Sequence, residues 1–85
     1  MAVIVKKPTQ QQIDDYKYRP TWQASAFVGK RKLFTEDEFF IVAEGYATLH
    51  CEDQGDVSFQ KGDFVLIQKG TTLFWDVPEF IKKYC

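Results

Sequence analysis

Few residues in this sequence could carry chemistry. It has one histidine, His50, and two cysteines, Cys51 and Cys85, too far apart for metal-type or redox-type spacing. His50 therefore reads as a surface or hydrogen-bonded polar residue, Cys51 as a half-buried strand thiol, and Cys85 as a free thiol not bridged to it. Lys30-Arg31-Lys32 is the densest basic cluster, but Leu33-Phe34-Thr35-Glu36-Asp37-Glu38 follows at once, so it reads as a solvated strand edge rather than a phosphate clamp. Glu38 remains, a carboxylate opening the apolar run Phe39-Phe40-Ile41-Val42 and separated from Gly45 by Phe39 to Glu44.

The elements that must position these groups are short and extended. The stretch from Gly62 to Trp75 reads turn, strand, turn, strand: Gly62-Asp63 starts it, Phe64 to Ile67 is an apolar run of strand length, Lys69-Gly70 turns the chain, and Thr71 to Val77 is rich in β-branched and aromatic residues. Upstream, Trp22 to Val28, Lys30 to Phe34, Glu38 to Ala43, Tyr46 to Glu52 and Val57 to Gln60 read as strands. Glu44-Gly45 permits a turn or bulge, and Asp53-Gln54-Gly55-Asp56 makes a hairpin turn. Alternation puts Ala47, Leu49 and Cys51 on one face and Tyr46, Thr48 and His50 on the other. Pro78-Glu79 interrupts pairing before a last short strand, Phe80 to Tyr84. At the front, Ala2 to Lys6 is an edge strand ended by Pro8, and Thr9 with Gln12 fits a capping box for a helix from Gln10 to Tyr16, docked by Ile13 and Tyr16. The pattern, about eight or nine short strands with one helix, is that of an antiparallel sandwich or barrel.

Composition sets limits. The 85 residues allow one domain, 1–85, with a barrel core over about 22–84 and an N-terminal strand and helix over 2–17. Eight Phe, four Tyr and two Trp supply a rich core. A net charge of −1 from 11 basic and 12 acidic residues gives no field to gather nucleic acid or anionic lipid. No apolar run approaches the ~20 residues of a membrane span, and there is no signal-peptide pattern. The expected setting is cytoplasmic, a targeting segment upstream of the given residues aside. Because Phe39 to Val42 and Phe64 to Ile67 are apolar on both strand faces, the outer face needs cover, and a homodimer is expected.

Glu38 through Gly45, Gly62-Asp63, Gly70, Trp75 and Pro20-Thr21-Trp22 together resemble the motifs of the cupin superfamily, an all-β, double-sheet antiparallel barrel of jelly-roll type. Within it they are similar to the small single-domain group of ethanolamine-utilisation protein Q and ureidoglycine aminohydrolase. The resemblance covers Trp22 to Tyr84. It places Lys32, Phe34 and Leu73 where metal-dependent members carry histidines, and Gln68 where they carry a proline, so of the family's ligand set only Glu38 survives. It implies no metal and no cofactor here, because a stable site needs three or four such ligands.

The resemblance also points Glu38 into the barrel. Strand alternation then brings Phe40 and Val42 to the same side, and Lys32, Phe34, Leu73 and Trp75 line the same cavity. A carboxylate there is costly unless paired, which assigns Lys32 to neutralise it. Two functions stay open. One is a non-enzymatic barrel that binds a small polar or cationic metabolite against Trp75, or serves assembly. The other is an enzyme, aminohydrolase- or isomerase-like, with Glu38 as acid, base or metal ligand. The missing imidazoles favour the first.

Overall fold

The structure, a computed structural model, describes residues 2–85. Its helix forms where the cap places it. Thr9 accepts from the Gln12 N–H at 3.1 Å and the Gln12 side chain accepts from the Thr9 N–H at 2.9 Å, starting α1 (Gln10–Tyr16). Seven strands make up the rest of the described fold: β1 (Val3–Lys6), β2 (Thr21–Val28), β3 (Lys32–Leu33), β4 (Glu38–Cys51), β5 (Gly55–Gln60), β6 (Phe64–Ile67) and β7 (Thr72–Tyr84). All pair antiparallel, in the order β1-β6-β4-β7-β2, with β3 added to β7 and β5 added to β4. The described fold is all-β, one antiparallel sheet wrapped around its core, with one short N-terminal helix.

Two strands are much longer than the sequence suggests. The expected pair Glu38 to Ala43 and Tyr46 to Glu52 is one 14-residue strand, β4, and the pair flanking Pro78-Glu79 is one 13-residue strand, β7. Bulges let them run on. Val42 faces Lys83 and Glu44 faces Lys82, so Ala43 is an extra residue. That one residue flips parity: Phe40 and Val42 before it, and Ala47, Leu49 and Cys51 after it, all enter the same core. Pro78, with no N–H to give, falls where β7 shifts register against both β2 and β4, so it costs no ladder bond. The stretch Lys30 to Phe34 pairs over only Lys32–Leu33.

At Gly45 the backbone of β7 comes close against β4. The glycine's φ is 77°, and a Cβ there would overlap the carbonyl of Phe80. Bulge and glycine together bend the strand pair around a core whose largest fully buried side chains are Phe40, Leu49, Ile67, Leu73 and Ile81.

The turn at Gly62-Asp63 is clamped by the aspartate, which is 9 % exposed and accepts from the Gln60 N–H at 2.9 Å and from Lys7 Nζ at 3.0 Å. Gln68 also ties backbone, its Oε1 accepting from Ala2 N–H at 3.0 Å.

The outer face of β6–β4–β7 carries a second cluster. Tyr16, Ile41 and Phe64 are buried there with Leu66 and Tyr84 packed against them, and the Tyr16 and Phe64 rings meet edge-on at 5.7 Å. The helix thus docks through Tyr16, whereas Ile13, expected to share that task, is 41 % exposed. Part of the cover that the sequence assigns to a second copy comes from α1, and Phe39 stays outside it at 43 % exposure.

Candidate functional site

An open cavity of about 320 Å³ lies among residues of β2, β3, β4 and β7. Five of the six residues that sequence and resemblance assign to a pocket line it: Lys32, Phe34, Glu38, Leu73 and Trp75. The ladder explains their meeting. Lys32 on β3 pairs with Leu73 on β7, and Glu38 at the start of β4 shares the inward parity of Phe40 and Val42. Asp37 holds the approach to Glu38, because its Oδ1 accepts from the Lys69 N–H at 2.7 Å and ties the β3–β4 loop to the turn at Gly70. The sixth residue, Phe40, is 1 % exposed and forms the floor instead. Its ring lies 5.5 Å from both Trp75 and Phe59.

The expected pairing of Lys32 with Glu38 does not form. Lys32 Nζ sits 4.7 Å from the centroid of the Phe34 ring, and neither residue has an ion-pair partner among the described residues. Glu38 is exposed at the mouth, where water solvates its carboxylate and removes the need for a partner.

The residue that the sequence reading missed is Lys83. It stands opposite Val42 on one side and Trp22 on the other, so its stem points into the barrel. Its ammonium rests 4.6 Å from the Phe40 centroid, 5.3 Å from Trp22 and 5.4 Å from Trp75. Such a cage stabilises a cation by roughly 0.5–2 kcal/mol. No carboxylate pairs with Lys83 among the described residues. A signal did exist: with lysines at both 82 and 83 of one strand, one of them faces inward by alternation. Trp22, Phe27, Gly29, Lys30 and Cys85 complete the newly seen lining. Lysines 30, 32 and 83 thus face the cavity against one carboxylate.

The chain matches the EutQ-like cupin domain over residues 12–84. It belongs to the EutQ-like cupin family. Among solved structures this cupin is similar to a DUF861-family protein from Thermotoga maritima, at 25 % identity and a TM-score of 0.86, over 98 % of this chain and 96 % of that one. No curated protein matches it. The positions that the resemblance links to metal ligands do meet in one cavity, but their chemistry is wrong for an ion: Lys32 repels it, Phe34 and Leu73 offer no lone pair, and Glu38 alone can ligate. Among the described residues, no group of three or more His, Cys, Asp or Glu could hold a metal. The site does not fit the cation that metal-dependent members carry.

His50 lies away from this cavity. Its Nδ1 meets Asp56 at 2.7 Å, its Nε2 meets Asp76 at 2.9 Å, and its ring stacks on Phe74 at 4.7 Å. Two carboxylates on two ring nitrogens are both satisfied only by the doubly protonated ring. The hydrogen bond to Asp76, then that to Asp56, raise its pKa above 6.5. A raised pKa stabilises the fold fully below the unfolded value, and this contribution fades as pH rises through the folded value. Thermal melts of His50→Gln should therefore show a larger loss relative to wild type at pH 6 than at pH 9; equal losses would assign His50 a packing role only. Both cysteines are free thiols, and burial, with a smaller contribution from Asp56, raises the Cys51 pKa, keeping that thiol protonated.

Proposed function

We propose that this cupin binds a small organic anion with a flat apolar body, and that lysine amines, Lys83 first among them, neutralise it without a metal. The observation that carries this reading is the caged, carboxylate-free ammonium of Lys83 in a cavity lined by lysines 30, 32 and 83 and one glutamate. A half-buried ammonium with no anion of its own gains most from an anionic ligand, through charge-assisted hydrogen bonds in a partly desolvated site. Trp22, Trp75 and Phe34 offer apolar faces for the ligand's body.

A cationic ligand held against Trp75, as the sequence suggests, would meet an ammonium already 5.4 Å from that ring. The anion is therefore the better occupant. Acid–base catalysis at Glu38 has weaker support, since none of the hydrogen bonds among the described residues orients its carboxylate.

Two naphthalene probes that differ only in charge test the reading. A ligand that binds only the folded state raises the melting temperature, by more the further its concentration exceeds its Kd. 2-Naphthoate should raise it, and 2-naphthylmethylamine should leave it near the ligand-free value. A larger rise with the amine would contradict the proposal.

A further inference from the structure

Strand β2 gives the cavity two walls that alternation alone would separate. Trp22 and Phe27 both line it, yet they stand an odd number of positions apart, and in an unbroken strand such residues point to opposite faces. The break is at Ala26. Its φ of 46° puts a residue with a Cβ in the left-handed region that glycine and asparagine normally fill. The β2–β7 register shifts at the same point: Ser25 faces Phe80 and Phe27 faces Val77, so Ala26 alone stands against Pro78 and Glu79. Beyond the bulge, Phe27 turns towards the cavity.

Phe27 is seated from both sides. Its ring meets Trp22 edge-on at 6.2 Å, and a Cβ on Gly29 would lie 3.3 Å from it, so the bare glycine leaves room for the ring. The Gly29 N–H donates to the Trp75 carbonyl at 2.8 Å and pins the end of the strand to β7. At 39 % exposure, Phe27 stands at the opening rather than on the floor. We infer that Ala26 is a positioning residue whose left-handed bulge swings Phe27 across the mouth of the cavity, and that Phe27 sets the largest ligand admitted. Strain at a non-glycine residue persists where the surroundings hold it, and here it aims a side chain at a binding cleft. The size-selection half rests on the proposed anion site; the mouth geometry does not.

The test therefore has one arm without ligand and one with it. In a Trp22→Phe background Trp75 is the sole indole, and acrylamide quenching of its fluorescence reports how open the mouth is. Phe27→Ala should raise the quenching, Ala26→Gly should leave it unchanged because glycine accepts the bulge, and Ala26→Val should raise it because a β-branched residue does not. In the second arm Phe27→Ala should improve the affinity of 9-anthroate relative to 2-naphthoate by about tenfold, the scale on which apolar pockets discriminate size. Unchanged quenching in Phe27→Ala overturns the inference whatever the binding shows. Raised quenching with an unchanged affinity ratio overturns the size selection. Raised quenching with neither probe bound by any variant supports the mouth geometry and overturns the anion site.

Discussion

Gly45→Ala should be among the most damaging single substitutions in this protein, lowering its stability by about 4 kcal/mol or more. Two costs add. A Cβ at a φ of 77° costs about 1–2 kcal/mol. The same Cβ also overlaps the Phe80 carbonyl, which is backbone and yields only if β4 and β7 separate. Those two strands carry most of the sheet, since every other strand except β1 pairs with one of them. Gly55 provides the control, because its φ is 85° but nothing lies within 4 Å of the Cβ it would acquire. Gly55→Ala should cost the backbone strain alone, about 1–2 kcal/mol. Against a total of roughly 5–15 kcal/mol, the first variant should melt at much lower urea or fail to fold, and the second should fold. Equal urea midpoints for the two would show that the β4–β7 contact is not what demands a glycine.

The second large effect concerns Lys83. Replacing it with glutamine removes the caged charge and should weaken binding of 2-naphthoate by about 10–100-fold, the worth of one hydrogen bond to a charged group. Lys83→Arg keeps the charge among Trp22, Phe40 and Trp75 and should bind within a few-fold of wild type. Stability should move much less than affinity. Lys83 makes no ion pair among the described residues, and its loss forfeits only contacts with rings that remain packed on one another. Isothermal titration of the three proteins measures the affinities, and a glutamine variant that binds as wild type does would remove Lys83 from the site.

These two residues also show what could be read in advance. Gly45 was legible as a turn or bulge from Glu44-Gly45, but not the close approach of β7, because contact between distant strands leaves no local pattern. The capping box at Thr9 and Gln12 was fully legible, being a matter of four neighbouring residues. Parity grouped Ala47, Leu49 and Cys51 on one face of one strand, and the structure shows that face to be the core one. It could not be carried across Ala43 or Ala26, since each bulge shifts the alternation by one and alanine is not a residue that announces a bulge. Pro78 misled in the opposite direction: a proline that usually ends pairing sits at a register shift where no donor is needed.

The cavity followed the same division. Lys32, Phe34, Glu38, Leu73 and Trp75 come together as the family resemblance implies, because the resemblance carries three-dimensional information that spacing alone lacks. The occupant of the aromatic cage was missed. Lys83 stood out only as a member of the last short strand, Phe80 to Tyr84, and its place opposite Val42 is what turns it inwards.

If lysine amines hold an organic anion here with no help from a metal ion, binding should be indifferent to chelation. Calorimetric titration of 2-naphthoate into protein dialysed against a strong chelator, before and after adding back Zn²⁺ or Mn²⁺, tests it most directly. The same affinity is expected in all of these titrations, and the same loss on Lys83→Gln. Binding that disappears on chelation and returns with the metal would contradict it.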